Sequence, residues 1–419
     1  MSMQSGGFVI EQFVEEARAV SIDAAAKRLG LKFTGRRHEH PQPCPHCGGT
    51  DTFAFNTAKN KWNCRAGGAG GNDGIGMAAH CEGLDLHRRD ALLEACSIVL
   101  DRPVPSQAGT ENADAANARR RRLEERRRLN EARAAERAER RVDYRERERQ
   151  KARSIYEAAA RVGRFGRLVA DYLEARGCGR IGASQWLRCA SELAYWHGSD
   201  ERGRPSELHS GPAMVAPFLK ADLDAIGCHI SWIDLARPPK FRPLLTDPAT
   251  GEPLPTKKMR GSKKGGLIPL FGDPSAARWV GGEGIENGAA FACWESWRED
   301  TFYFAAGDLG NLAGPADPAS RFAHPELKKP DSKGVPRPVM IAGPIPRPGQ
   351  DPEDAMWVGE QVTELVLLAD GDSERVVTAA AMARARARHA RPGRAIPIVW
   401  PRPGCDFASM AAEAAKRVA

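Results

Sequence analysis

The sequence predicts a multidomain α+β protein: a small N-terminal ribbon unit, a long charged helix, a mixed basic subdomain and a C-terminal α/β domain on a parallel sheet. Three observations carry this. A Cys-x2-Cys pair and a third cysteine fall within the first hundred residues. From about residue 112 to 160 the chain is mostly Arg, Glu and Ala, with no apolar face. After about residue 274, apolar runs alternate with helix-like segments, the pattern of a parallel sheet. A length of 419 residues suits two to three domains, and 42% apolar against 28% charged residues is enough to build cores. The expected boundaries are 1–100, 101–160, 161–273 and 274–419.

Composition excludes several classes. No stretch approaches the roughly 20 apolar residues of a membrane helix. The N-terminus has no basic start and carries acids inside its apolar part, so no signal peptide is expected. Ten cysteines in a chain expected to be cytoplasmic read as reduced thiols or metal ligands. The net charge is +8, but Arg119–Arg153 holds 16 Lys and Arg against 8 Asp and Glu. The remainder, with 46 of each sign, is neutral, so basicity alone does not argue for nucleic acid.

In chain order, Phe8–Val20 has helical apolar spacing (Ile10, Phe13, Val14, Ala17). Ser21 caps a second helix over Ile22–Leu29, which Gly30 ends. A cysteine-containing hairpin follows, then helices near Ile75–His80 and Arg88–Leu100 and a linker over 101–110. The charged segment reads as one solvated helix laced by i,i+4 pairs such as Glu124/Arg128 and Glu136/Arg140. Its functional alternative is a basic arm on phosphates. Ala213–Phe218 and His229–Ile233 read as strands, and Lys257–Gly266 as a basic loop. Residues 317–360, rich in Pro, Asp and Lys, read as an insertion into the last domain.

Cys44-Pro45-His46-Cys47 is a metal knuckle, and Cys64 follows a hairpin carrying Phe53, Phe55 and Trp62. Thiolates so spaced suit tetrahedral Zn²⁺, which would help fold a unit with little core. A full ribbon would repeat Cys-x2-Cys, but Gly67 stands at the last position. His80 and Cys81 are the best substitutes for the missing ligand, with His46 less well placed.

Glu283 and Glu286 follow the strand-like Trp279–Gly282. Asp370 and Asp372 follow the apolar run Leu365–Ala369, and Asp406 follows the strand expected over Ala395–Trp400. In an open parallel sheet such strand ends face one crevice. Gathered carboxylates repel one another unless a divalent cation joins them, and oxygen ligands suit Mg²⁺, or Mn²⁺, with substrate phosphates completing the shell. For Asp370 and Asp372 the alternative is helix capping, and for Glu286 a solvated first-turn acid.

The order of a cysteine ribbon, a middle basic stretch, E-G-I-E, D-G-D and a final G-C-D-F resembles DnaG-type bacterial primases, and more closely the Toprim-containing primases of phages and plasmids. The likeness spans nearly the whole chain apart from the charged helix and the insertion. It implies a template-engaging zinc ribbon on Cys44, Cys47 and Cys64, with His80 entered for the ligand that Gly67 does not supply, and a Toprim domain over 274–419 for Mg²⁺-dependent nucleotidyl transfer. Glu283 would be the motif glutamate, Asp370 and Asp372 the metal-binding pair, and Asp406 a weaker later acid. Lys257, Lys258, Arg260, Lys263 and Lys264 match the basic motif that meets template or NTP phosphates. Gly307–Leu312 resembles the small-residue segment between the acidic motifs.

The expected function is therefore a DNA primase acting on single-stranded DNA with NTPs. Gly261–Gly266 mimics P-loop spacing, but Leu267 stands where lysine is needed, so a replicative helicase would be a separate chain. The alternatives are a Toprim nuclease and a non-catalytic nucleic-acid-binding accessory protein. A topoisomerase is disfavoured, because no tyrosine has a recognisable nucleophile setting.

Overall fold

The computed structural model describes residues 4–34, 38–105, 113–161, 167–179, 184–331 and 334–418. They divide into two compact units, Met1–Asp143 and Tyr144–Ala419. Among the described residues no helix is long and apolar enough to cross a membrane.

In the first unit, helices α1 (Gln4–Arg18) and α2 (Ile22–Arg28) precede a sheet of β1 (Glu39–Cys44), β2 (Gly48–Asn56), β3 (Lys61–Cys64) and β4 (Ala69–Gly71). The strands pair antiparallel in chain order. Helices α3 (Gly74–Glu82) and α4 (Arg89–Leu100) follow, and α5 spans Ala113–Ala158. Ser21 caps α2 by accepting from Ala24 N. Phe53, Phe55 and Trp62, from alternate positions of the hairpin, pack with Phe13, Ile22, Met77 and Val99 in one core. The charged segment is helical as expected, and Arg140 donates to Glu136 at 2.6 Å. The expected Glu124/Arg128 pair and residues 106–110 of the linker lie outside the described residues and side chains.

The second unit contains β5 (Ala160–Arg161), α6 (Arg167–Ala175), β6 (Arg188–Ser199), β7 (Pro205–Leu219), β8 (Ala225–Trp232) and β9 (Lys257–Gly261). These five strands form an antiparallel sheet in chain order. The basic stretch read as a loop is thus half strand: Lys257–Gly261 pairs with Gly227–Ser231.

Next come β10 (Ile268–Phe271), β11 (Arg278–Gly282), α7 (Ile285–Trp294), β12 (Thr301–Ala305), α8 (Leu309–Ala313), β13 (Phe322–Pro330), β14 (Pro336–Ile341), β15 (Glu364–Leu368), α9 (Arg375–His389), β16 (Ile398–Val399) and α10 (Phe407–Val418). The sheet order is β10-β12-β11-β15-β16, parallel except for the edge strand β10. The strand expected over Ala395–Trp400 shrinks to two residues, flanked by Pro397 and Pro401, which lack the donor a ladder needs.

Alternate residues of the parallel strands face opposite ways. Val280, Tyr303, Val366 and Leu368 pack with α7 and α10 residues such as Ala289, Phe407 and Ala411. Trp279, Phe302, Phe304, Leu365 and Leu367 pack with Leu312, Met382 and Ala385 of α8 and α9. The first of these cores also takes Tyr172 from α6, Met214, Ala216 and Phe218 from β7, and Ile268 and Leu270 from β10. The stretches on either side of residue 273 therefore share one hydrophobic core. The insertion holds a hairpin, β13–β14.

Candidate functional site

Among the described residues, the first unit holds one metal-capable group. The ligand atoms of Cys44, Cys47, Cys64 and His80 all lie within 4.8 Å of one another. His80 Nε2 is 3.4 Å from Cys44 Sγ and 3.7 Å from Cys47 Sγ. Both knuckles have the donor geometry of a metal site: Cys47 N donates to Cys44 Sγ at 3.3 Å, and Gly67 N to Cys64 Sγ at 3.4 Å. The missing fourth cysteine is explained by space. A Cβ on Gly67 would lie 2.7 Å from His80 Cε1 and 2.9 Å from Cys47 Sγ. The imidazole of α3 fills the room a side chain at 67 would need.

His80 is braced by Trp62, whose ring centroid is 5.2 Å away, and burial lowers its pKa, with His46 adding to the effect. A neutral imidazole is the form that ligates. Burial pushes the Cys44 thiol up to about 12, and burial chiefly raises Cys47 as well. Three thiols and one imidazole in a tetrad can hold a metal ion such as zinc. Cys81, the other substitute considered, is buried beside the tetrad but does not belong to it.

In the second unit, register brings the acids together. β11 and β15 are parallel neighbours, with Gly282 opposite Leu368. Glu283, one residue beyond β11, and Asp370, two beyond β15, leave the same end of the sheet. The strand order reverses there, because β11 is followed by β12 on one side while β15 lies on the other. Gly371 keeps the turn tight: a Cβ there would lie 2.4 Å from Cys405 O.

Burial, then the Asp372 carboxylate, and to a smaller degree Glu283, push Asp370 up to about 6. Burial and Asp372 likewise raise Glu283, against the opposing pull of Lys263 and Lys257. The three carboxylates thus share one electrostatic neighbourhood, though they do not close into a set within 4.8 Å of one another as the tetrad does.

The other acids have different work. Glu286 is neither a solvated acid nor a free ligand. It is 5% exposed, accepts from Tyr172 Oη at 2.8 Å and pairs with Lys257 Nζ at 2.7 Å. Lys257 holds its carboxyl well below the usual range despite the burial. Asp406 caps α10, accepting from Ser409 N at 2.6 Å.

The basic residues divide. Lys257 is engaged by Glu286, and Lys263 by Asp308, which also caps α8. Lys264 is exposed. Lys258 Nζ lies 3.5 Å from the Tyr195 ring centroid, and Arg260 is 3.7 Å from Glu148. Lys258 and Arg260 line a groove of about 900 Å³ with Arg147, Lys151 and Trp196, the last 42% exposed.

Sequence reasoning passed over Asn287. Its Nδ2 donates to Asp370 Oδ1 at 3.1 Å, and its Oδ1 accepts from Phe407 N at 3.1 Å. No local signal marks it, because its partners lie 83 and 120 residues away in sequence. It also passed over Tyr172, which only the shared core brings to Glu286.

A family model described as "Domain of unknown function (DUF7146)" matches residues 146–270. That stretch contains every residue named above in the groove. No curated protein matches. A solved structure titled "Crystal structure of a DNA primase domain from Pseudomonas aeruginosa" is similar over 65% of this chain and 77% of that chain, at 11% identity and a TM-score of 0.34.

Proposed function

We propose that this chain is a DNA primase of the Toprim type, making short RNA primers on single-stranded DNA by Mg²⁺-dependent nucleotidyl transfer. One observation carries the reading: Glu283, Asp370 and Asp372 follow adjacent parallel strand ends, and the Asp372 carboxylate raises the proton affinity of both Glu283 and Asp370. Carboxylates kept in mutual repulsion, with no arginine paired to them among the described residues, suit a divalent cation and its phosphate ligands. Glu283, Asp370 and Asp372 would hold Mg²⁺ or Mn²⁺, which when bound supplies charge neutralisation at a transferring phosphoryl group.

The chain's own residues prepare the place. Asn287 orients Asp370 and ties it to the start of α10. Lys263 lies near enough to feel Glu283 and sets positive charge at the rim of the crevice. The groove beside β9 offers cations to a phosphate backbone and Trp196 to an unstacked base. The Cys44/Cys47/Cys64/His80 tetrad would hold Zn²⁺ and stiffen a ribbon that engages template. The domain assignment is a zinc ribbon over 1–100, a helical linker over 101–160, a basic subdomain over 161–273 and Toprim over 274–419, with a separate helicase as partner.

Primer synthesis on a single-stranded template with NTPs and Mg²⁺ or Mn²⁺ tests the reading. Asp370→Asn should abolish product, and equal product from the variant would refute the site. A second reading, nucleic-acid binding without transfer, is favoured by the pull of Lys257 and Lys263 on Glu283. Strand binding with no metal-dependent product or cleavage would select it.

A further inference from the structure

The insertion is not a bare loop. β13 and β14 form a two-stranded ribbon, paired from Phe322 opposite Ile341 to Pro330 opposite Pro336. Its base is fixed to α9, the helix that follows Asp370-Gly371-Asp372. His324 Nε2 lies 3.0 Å from Oε1 of Glu374, the α9 cap, and His324 Nδ1 accepts from Glu326 N and Leu327 N at 3.0 and 2.8 Å. From α9 itself, the buried Arg384 donates to Gly314 O at 2.8 Å and Gly343 O at 2.6 Å, holding the chain on both sides of the ribbon.

Beyond that base the ribbon is exposed and cationic. Residues 325–330 and 336–338 are all exposed and carry Lys328, Lys329 and Arg337 against one acid, Glu326. Lys329 stands directly opposite Arg337. Like charges in that position destabilise a strand pair. Arg337 has Asp331 at 3.4 Å, whereas Lys329 has no ion-pair partner among the described residues. A concentrated anion between the two side chains would remove the conflict. Pro325, Pro330, Pro336 and Pro338 remove amide donors along both strands, so recognition falls to side chains and not to an added peptide strand.

From these contacts we infer that the β13–β14 ribbon is a nucleic-acid contact, with Lys329 and Arg337 gripping the phosphodiester backbone. Phosphate offers the charge density the pair lacks and matches the fork of arginine. The contact requires no transfer chemistry, so it stands or falls apart from the activity proposed above.

The test is binding of a fluorescein-labelled oligothymidine to the full chain by anisotropy across a salt series. For Lys329→Ala/Arg337→Ala the log–log salt slope should fall by about 1.4, two contacts at about 0.7 each, and affinity near 0.1 M salt on the order of tenfold. Lys329→Glu makes the cross-strand pair attractive. It should melt no lower than wild type and still lose slope, which separates lost contact from lost fold. An unchanged slope and affinity in both variants overturns the inference. So does labelled polyglutamate binding as tightly as the oligonucleotide and losing as much in the variants, since that marks a surface for acidic protein.

Discussion

Asn287 Nδ2 donates to Asp370 Oδ1 at 3.1 Å, while the same amide's oxygen accepts from Phe407 N at 3.1 Å. One side chain therefore links the acid after β15 to the first turn of α10, from a helix that follows the neighbouring strand. Replacing it by Leu keeps its approximate volume and removes both bonds. Asn287→Leu should lower metal-dependent activity 10- to 100-fold, as loss of a ligand-orienting partner does. It should also cost about 1 to 3 kcal/mol of stability. Activity assays and thermal melts of the same preparation check both.

Asp370 titrates near 6 in the fold, above the ordinary aspartate value near 3.9. A raised carboxylate is a burden when ionised. Its cost is absent below about pH 4, where it is protonated folded and unfolded, and is fully present above about pH 6. Asp370→Asn should therefore stabilise the metal-free protein at pH 7 by about 1 to 2 kcal/mol, allowing for solvent screening. The gain should vanish by about pH 4. Denaturant melts across pH read this directly, and a flat difference would contradict the crowding of the three acids.

The metal tetrad makes a prediction about Gly67. Gly67→Cys alone should weaken metal binding, because its Cβ meets the His80 ring at 2.7 Å. His80→Ala alone should lose a ligand and leave a metal-poor, unstable first unit. The double variant should recover metal content, since it rebuilds a four-cysteine site in the vacated space. Zinc quantified in the three purified proteins decides it.

Lys257 and Glu286 form a pair in which the carboxylate is buried. Lys257→Met leaves that carboxylate unpaired and should cost about 3 kcal/mol. Lys257→Met/Glu286→Gln should cost less, because the charge left behind is gone. The depressed Glu286 pKa puts its stabilisation above the ordinary glutamate range, to be lost as pH falls toward its folded value. Double-mutant melts at neutral pH measure the coupling.

Trp196 should act as a stacking surface in the β9-side groove. Trp196→Ala should weaken single-strand binding by about 1 to 3 kcal/mol without changing the salt slope. Lys258→Ala/Arg260→Ala should lower the slope instead. The two signatures separate base contact from phosphate contact in one titration.

Features set by local pattern are readable from the chain before it folds. Ser21 as a cap, the Phe53/Phe55/Trp62 alternation, the knuckle of Cys44 and Cys47, and the apolar run ending at Asp370 were legible because capping, period and ligand spacing act over a few residues. The folded chain selects which chemistry survives. It chose His80 over Cys81, because only the imidazole reaches the space above Gly67. It drew Lys257 and Glu286 into one another and out of the crevice, since a buried carboxylate must find a cation. It made Asp406 a cap, and it brought Asn287 and Tyr172 into contacts 83 and 114 residues distant in sequence. Such pairings are set by sheet order and core sharing, which composition and spacing do not encode.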